Sequence, residues 1–298
     1  MWDRNSLVSV TQLSRSDIEE ILSVASSFVR EPRELCKGKI LANIFFEPST
    51  RTEKSFQSAM YRLGGQVLTH KDAGSSREKG ETKEDTIRIL AGYADIAVIR
   101  DDEEGQIMRY AALAGVPAIN AGDGSNEHPT QSLLDAFTIM QEHGRLENLR
   151  IAFLGDLKYG RTVHSLMKVL SLFPGNEMYS ITPSSLTLPA EMRFIEAGHY
   201  DVENMEKALN EIKPDVVYCT RVQKERLKGE KGSYIMHREI LEALPTTCRV
   251  LHPLPRSNEI NADMDSDPRV IPFKQARNGV PVRMAVISMM LKAKKELE

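Results

Sequence analysis

Glu47-Pro48-Ser49-Thr50-Arg51-Thr52 packs three hydroxyls, a guanidinium and a carboxylate into one short stretch. Before it, Ile40-Leu41-Ala42-Asn43-Ile44-Phe45-Phe46 reads as a buried strand. After it, Phe56, Ala59, Met60 and Leu63 recur at helical spacing and Gly64-Gly65 supplies a stop. The hydroxyls therefore sit where a strand turns into a helix N-terminus. Free backbone N–H groups and the positive dipole end favour an anion there, and Arg51 can add a bidentate contact to phosphate. Capping of the helix by Ser49 or Thr50 is the competing use of the same residues.

Other polar clusters also follow apolar runs. Ser75-Ser76-Arg77-Glu78-Lys79-Gly80-Glu81-Thr82 follows the strand-like 66–70 and carries a lysine, Lys79. Arg100 directly follows Asp95-Ile96-Ala97-Val98-Ile99, a position suited to a ligand or to an edge ion pair. Asn120-Ala121-Gly122-Asp123-Gly124-Ser125-Asn126-Glu127-His128-Pro129-Thr130-Gln131 is rich in turn formers, and Pro129 suits a first helical position, which puts His128 at a helix entrance. Thr220-Arg221-Val222-Gln223-Lys224-Glu225-Arg226 mixes cationic and amide side chains after a strand. His252-Pro253-Leu254-Pro255-Arg256 is stiffened by two prolines, can aim carbonyl oxygens at a ligand amide, and is a candidate for a cis peptide.

Gly155-Asp156-Leu157-Lys158-Tyr159-Gly160-Arg161-Thr162 imitates the phosphate loop of nucleotide hydrolases. Arg161 replaces the lysine of that loop, an exchange that is not conservative. The later strand 214–219 ends in Cys219-Thr220-Arg221 rather than in an acidic magnesium ligand, so nucleotide hydrolysis is disfavoured. An arginine at a helix start still suits a carboxylate.

The elements that must carry these groups alternate along the chain. Strands are expected at 40–46, 66–70, 95–99, 117–120, 150–154, 177–181, 214–219 and 249–252, and helices at 52–63, 81–92, 104–114, 129–142, 161–173, 203–211 and 281–295. This alternation predicts parallel sheets with helices on both faces and ligands at strand carboxyl ends. The 298 residues allow two domains, and a split is expected within helix 129–142: residues 1–130, joined by the last helix at 281–298, and residues 131–280.

At 41% hydrophobic and 27% charged the composition is that of an ordinary globular protein. No apolar run reaches membrane-spanning length, and Met1-Trp2-Asp3-Arg4 does not open a signal peptide. The net charge of −3 argues against a general nucleic-acid or membrane surface. Cys36, Cys219 and Cys248 are sparse and scattered, as expected of reduced cytoplasmic thiols without a metal role, and Cys219 reads as a core residue.

In order and over nearly the whole length, the motifs at 46–52, 79–82, 120–124, 128–131, 155–162, 220–226 and 252–256 resemble the catalytic chains of the transcarbamoylase family. Ser-Thr-Arg-Thr and His-Pro-x-Gln are general to that family. Arg-Val-Gln-Lys-Glu-Arg and His-Pro-Leu-Pro point to its aspartate carbamoyltransferase branch, because ornithine enzymes typically carry His-Cys-Leu-Pro at the latter position. Glu53 departs from the basic residue often found there, at a position with no assigned role.

The resemblance implies two Rossmann-like α/β domains joined by bridging helices. It also implies carbamoyl transfer from carbamoyl phosphate to the α-amino group of L-aspartate, an early step of pyrimidine synthesis, with no cofactor or metal. By the same resemblance Ser49, Thr50, Arg51 and Thr52 hold the phosphate, while Thr52, Arg100 and His128 polarise the carbamoyl oxygen. Gln131 and the carbonyls of Leu254 and Pro255 hold the carbamoyl amide. Arg161 takes the aspartate α-carboxylate, and Arg221 and Gln223 take the side-chain carboxylate. Ser75 and Lys79 enter from a neighbouring copy, which implies a homotrimer, and regulatory chains are possible in a larger assembly. Glu47 pairs with Arg161 and Arg226 on domain closure. Two further readings stay open: a transcarbamoylase for another amine acceptor, and a non-catalytic anion-binding or regulatory homologue.

Overall fold

The apolar runs do become strands, and each is buried because helices cover both faces of its sheet. A computed structural model describes residues 2–31, 33–71, 76–222 and 234–295. The chain divides into two units, Met1–Leu134 with Asn278–Glu298, and Asp135–Arg277.

In the first unit β1 (Ser6–Leu7), β2 (Ile40–Phe45), β3 (Gln66–Lys71), β4 (Ile96–Asp101) and β5 (Ala118–Asp123) form a parallel sheet in the order β1-β5-β4-β2-β3. Strand alternation decides which helix each side chain meets. Ala42 and Ile44 of β2 join Ala97 and Ile99 of β4 in a core with Ile87 of α3 (Lys83–Gly92) and Ile107 and Tyr110 of α4 (Gln106–Ala114). Asn43 points the other way, and its Nδ2 donates to Glu53 O of α2 (Thr50–Arg62). Helix α1 (Arg15–Arg30) starts with a reciprocal Ser14–Asp17 capping box and buries Ile18, Ile21, Leu22, Ala25 and Phe28.

In the second unit β6 (Arg150–Leu154), β7 (Glu177–Thr182), β8 (Gly198–Asp201), β9 (Val216–Cys219) and β10 (Arg249–Leu251) form a parallel sheet in the order β10-β9-β6-β7-β8. Ala152, Leu154, Ile181, Val217 and Val250 share one core with Ala208, Leu209 and Ile212 of α7 (Met205–Ile212) and with Ile240 and Leu241 of α8 (Arg238–Ala243). Cys219 belongs to this core. Burial pushes both its thiol and that of Cys248 up to about 12 and that of Cys36 up to about 11, far from a nucleophile's range.

Helices α5 (Pro129–His143) and α9 (Pro272–Lys295) each contain the residue where the chain passes from one unit to the other. The expected last helix, 281–295, begins nine residues too late. Pro281 lies inside α9, where it costs one backbone hydrogen bond. The short edge strands β1 and β8 and the helices α1 and α8 add to the elements expected from the sequence. Among the described residues no helix is long and apolar enough to cross a membrane.

Candidate active site

Strand order fixes where ligands meet these sheets. In the first unit the chain leaves β2 for β3 on one side and then places β4 on the other side of β2. The carboxyl ends of β2 and β4 are therefore a topological switch point, the usual ligand crevice of an open α/β sheet. In the second unit the same reversal falls between β6 and β9. The candidate cations follow the switch-point strands: Arg51 after β2, Arg100 on β4, Arg161 after β6 and Arg221 after β9.

Ser49 is the N-cap of α2 in extended backbone (φ −155°, ψ 93°), but its side chain makes no capping hydrogen bond. Of the two uses open to it, Ser49 therefore does not cap the helix with its side chain. Thr50 and Arg51 are exposed. Partial desolvation lowers the Arg51 pKa, although a guanidinium remains charged at neutral pH. Thr52 is buried, and its Oγ1 lies 3.5 Å from His128 Nε2, at the outer limit of a hydrogen bond.

His128 is held from behind. Its neighbour Glu127 is buried and accepts from Val10 N (2.8 Å) and Ser9 Oγ (3.0 Å), which ties the loop after β5 to the N-terminal segment. Gln131 is half-buried in the first turn of α5, with its N–H on His128 O. Arg100 is 7% exposed; Nη1 donates to Ala121 O (3.0 Å), and Nη2 lies 2.8 Å from Glu47 Oε2. The expected edge ion pair at Arg100 is thus present, and it is made with a residue of the phosphate-type loop itself. Lys79 ends a short 3-10 turn, Ser76–Lys79, and is exposed. Ser75, Gln223 and Arg226 lie outside the described residues.

An acidic group at the same edge went unread in the sequence. Asp101, Asp102 and Glu103 present carboxylate oxygens close enough together for a cation. Lys83 Nζ stands among them, at 2.9, 3.4 and 3.3 Å. Although burial opposes its charge, hydrogen bonding to Asp101 together with the surrounding carboxylates raises the Lys83 pKa, so its ammonium fills the cluster. Burial raises the pKa of Asp101 in turn.

In the second unit the loop that imitates a nucleotide site spends its glycines on packing. A Cβ on Gly155 (φ +108°) would come within 2.5 Å of Thr220 O, and one on Gly160 within 2.4 Å of Asp156 O. Gly155 thereby lets the ends of β6 and β9 meet. His164 of α6 (Arg161–Leu170) braces the loop through Nε2 to Leu157 O (2.7 Å), and burial lowers its pKa, keeping it neutral. Arg161 is the first residue of α6 and half-buried, whereas Arg221 is exposed. The peptide Leu254–Pro255 is cis, and Leu254 adopts a left-handed backbone (φ 57°), its N–H on His252 Nδ1 (2.8 Å).

Both parts of the chain match known protein domains. Residues 5–141 match the family model described as aspartate/ornithine carbamoyltransferase, carbamoyl-P binding domain. Residues 147–290 match the Asp/Orn binding domain of the same family. The chain belongs to the aspartate/ornithine carbamoyltransferase family. Within that family it is 46% identical to the aspartate carbamoyltransferase catalytic subunit of Methanocaldococcus jannaschii, over 96% of this chain and 97% of the relative. The crystal structure of the M. jannaschii aspartate transcarbamoylase catalytic subunit superposes with a TM-score of 0.88 at 45% identity, covering 99% of this chain and 100% of the other. Aspartate transcarbamoylase from Trypanosoma cruzi, crystallised with aspartate and phosphate, gives 0.87 at 37% identity over 95% of each chain. The carbamoyltransferase sequence thus has its two family domains, each with a helix-covered parallel sheet.

Proposed function

We propose that this chain transfers the carbamoyl group of carbamoyl phosphate to the α-amino group of L-aspartate, giving N-carbamoyl-L-aspartate and phosphate. The observation that carries this reading is the gathering, at one sheet edge, of a helix N-terminus without a side-chain cap, Arg51, buried Arg100 and the Thr52–His128 pair. That edge combines a phosphate cradle with neutral and cationic donors for an oxyanion. The relatives' names and the aspartate and phosphate of the T. cruzi complex support the choice of substrates.

Residues 1–130 with the terminal helix 281–298 act on carbamoyl phosphate, and residues 131–280 act on aspartate, except that Gln131, Leu254 and Pro255 serve the carbamoyl amide. Ser49, Thr50, Arg51 and Thr52 bind the phosphoryl oxygens. Thr52, Arg100 and His128 face the carbamoyl oxygen, while Gln131 and the carbonyls of Leu254 and Pro255 hold the amide. Arg161 binds the α-carboxylate, and Arg221 with Gln223 the side-chain carboxylate. Ser75 and Lys79 act in the site of a neighbouring copy, so the working unit is a homotrimer, placed in the cytoplasm. The exposure of Lys79 in the single chain fits a residue offered to a neighbour.

The deprotonated aspartate amine attacks the carbamoyl carbon, and the carbonyl π electrons move onto oxygen. Collapse of the tetrahedral species expels phosphate, which accepts the amine proton. Fixed donors stabilise the developing oxyanion, and holding both reactants together removes much of the entropic barrier. A chain with net charge −3 must concentrate its cations locally to gather two anionic substrates.

The test is release of phosphate and formation of the carbamoylated amine with aspartate or ornithine, on protein sized by light scattering. Product with aspartate and a particle of three chains is the expected result. Product with ornithine alone moves the reading to the other acceptor, and carbamoyl phosphate binding without turnover moves it to an anion-binding homologue.

Glu47 carries a further expectation. Its carboxylate sits on Arg100, so carbamoyl phosphate arriving at Arg100 competes with it and frees it to pair elsewhere. With a role in domain closure, Glu47→Ala weakens aspartate use about tenfold while carbamoyl phosphate binding changes little. Steady-state KM values for both substrates check this, and equal losses count against closure.

A further inference from the structure

Behind the Leu254–Pro255 turn lies a chain of buried hydrogen bonds that the chemistry above does not use. Tyr218 Oη donates to Asp135 Oδ2 (2.8 Å), and Gln275 Nε2 donates to Asp135 Oδ1 (2.6 Å). Gln275 Oε1 accepts from His252 N (2.8 Å), and His252 Nδ1 accepts from Leu254 N (2.8 Å). Asp135, Tyr218, Gln275 and His252 are all at most 1% exposed.

The chain has a polarity that follows from donor and acceptor chemistry alone. An ionised Asp135 only accepts, and the His252 N–H only donates. Gln275 can satisfy both in one orientation of its amide, with Nε2 towards Asp135 and Oε1 towards His252. Burial and the neighbouring Asp135 hold the Tyr218 phenol well above its ordinary pKa, so it keeps the proton it donates. At the far end, Nδ1 acts as acceptor and the neutral His252 ring carries its proton on Nε2, 3.9 Å from Glu259 Oε2. Each link thus fixes the next, and the last fixes the backbone N–H of a leucine held at φ 57°.

We infer that Tyr218, Asp135 and Gln275 are positioning residues that set the aim of the Leu254 and Pro255 carbonyls through His252. The inference rests on the reading above that these carbonyls hold the carbamoyl amide. It assigns to a buried carboxylate and amide of the Asp135–Arg277 unit a share in recognising carbamoyl phosphate.

The test reverses the polarity. Asp135→Asn replaces a carboxylate that accepts on both oxygens with an amide that accepts on one. Its NH₂ either faces Gln275 Nε2, where two donors clash, or faces Tyr218 Oη, whose hydroxyl must turn to accept it and gives up its own acceptor. A bond of the chain is lost in either orientation. Asp135→Asn combined with Gln275→Glu restores the bonds named above. Tyr218 then donates to the new amide oxygen at position 135, and the amide NH₂ there donates to the new carboxylate at position 275. The same carboxylate accepts from His252 N. On protein with a cooperative melt, Asp135→Asn raises the KM for carbamoyl phosphate about tenfold, and at saturating carbamoyl phosphate the aspartate KM stays within about twofold. The double variant returns the first value to within about threefold of wild type.

A folded Asp135→Asn protein with wild-type KM for carbamoyl phosphate overturns the inference, as does a double variant no better than the single one. Should Asp135→Asn fail to fold, the double variant still decides. Recovery of folded, active protein supports the chain of bonds, and failure to recover overturns it. A wild type that makes no N-carbamoyl-L-aspartate sinks the functional reading instead, whereas an active wild type with an unrescued pair sinks only the positioning role.

Discussion

Arg100→Ala yields folded protein whose turnover with carbamoyl phosphate and aspartate falls about a hundred- to a thousandfold, the loss expected for one oxyanion donor. Fold survives because the ladder that holds β4 to β2 and β5 is made by backbone groups, Phe45 pairing with Arg100 and Ile99 with Asn120. The side chain does contribute to stability. Removing Nη1 leaves the buried Ala121 carbonyl short of a donor, at about 1–3 kcal/mol. Turnover must therefore be measured well below the variant's melting temperature. Arg100→Lys separates charge from geometry. An ammonium keeps the positive charge, yet it lacks the planar fork that reaches Ala121 O and Glu47 at once, so most of the loss persists. Wild-type turnover in a cooperatively melting Arg100→Ala protein removes Arg100 from the chemistry.

What the sequence revealed and what it hid have physical reasons. Central parallel strands are buried on both faces, so they appear as continuous apolar runs, and Leu41-Ala42-Asn43-Ile44-Phe45 and Ile96-Ala97-Val98-Ile99 are legible at once. The candidate site is legible because its polar residues lie in short loops immediately after those runs. Edge strands carry no such run: β1 has two residues, and β8 reads Gly198-His199-Tyr200-Asp201, with no aliphatic residue. Helix α1 is signalled by Ser14-x-x-Asp17 and a stripe at Ile18, Ile21, Leu22 and Ala25, a signal that lies far from any reactive residue and so escapes a reading that starts from chemistry.

Contacts distant in sequence are not legible. Lys83 among Asp101, Asp102 and Glu103, or Gln275 on Asp135, depend on which strands become neighbours. Asp135 does leave one trace. It interrupts Leu133-Leu134 and Ala136-Phe137, all of them buried, and a carboxylate in such a setting must have donors from elsewhere.

Arg161→Ala is expected to divide the two substrates sharply: the KM for aspartate rises about tenfold to a hundredfold, and that for carbamoyl phosphate stays near wild type. The size follows from losing one charge-assisted hydrogen-bonded contact to a carboxylate. Arg161 opens α6, where the helix dipole already favours an anion, and Gly160 adds no side chain to compete. His164 holds the preceding loop through Leu157 O, which anchors the helix start independently of the arginine. The KM values are to be read on Arg161→Ala protein that melts cooperatively. Arg100 and Arg161 belong to different units, and the proposed division assigns one to the carbamoyl group and the other to the acceptor. An Arg161→Ala protein that loses both substrates equally, or that keeps wild-type KM values for both, denies that division and leaves the second unit without its assigned ligand.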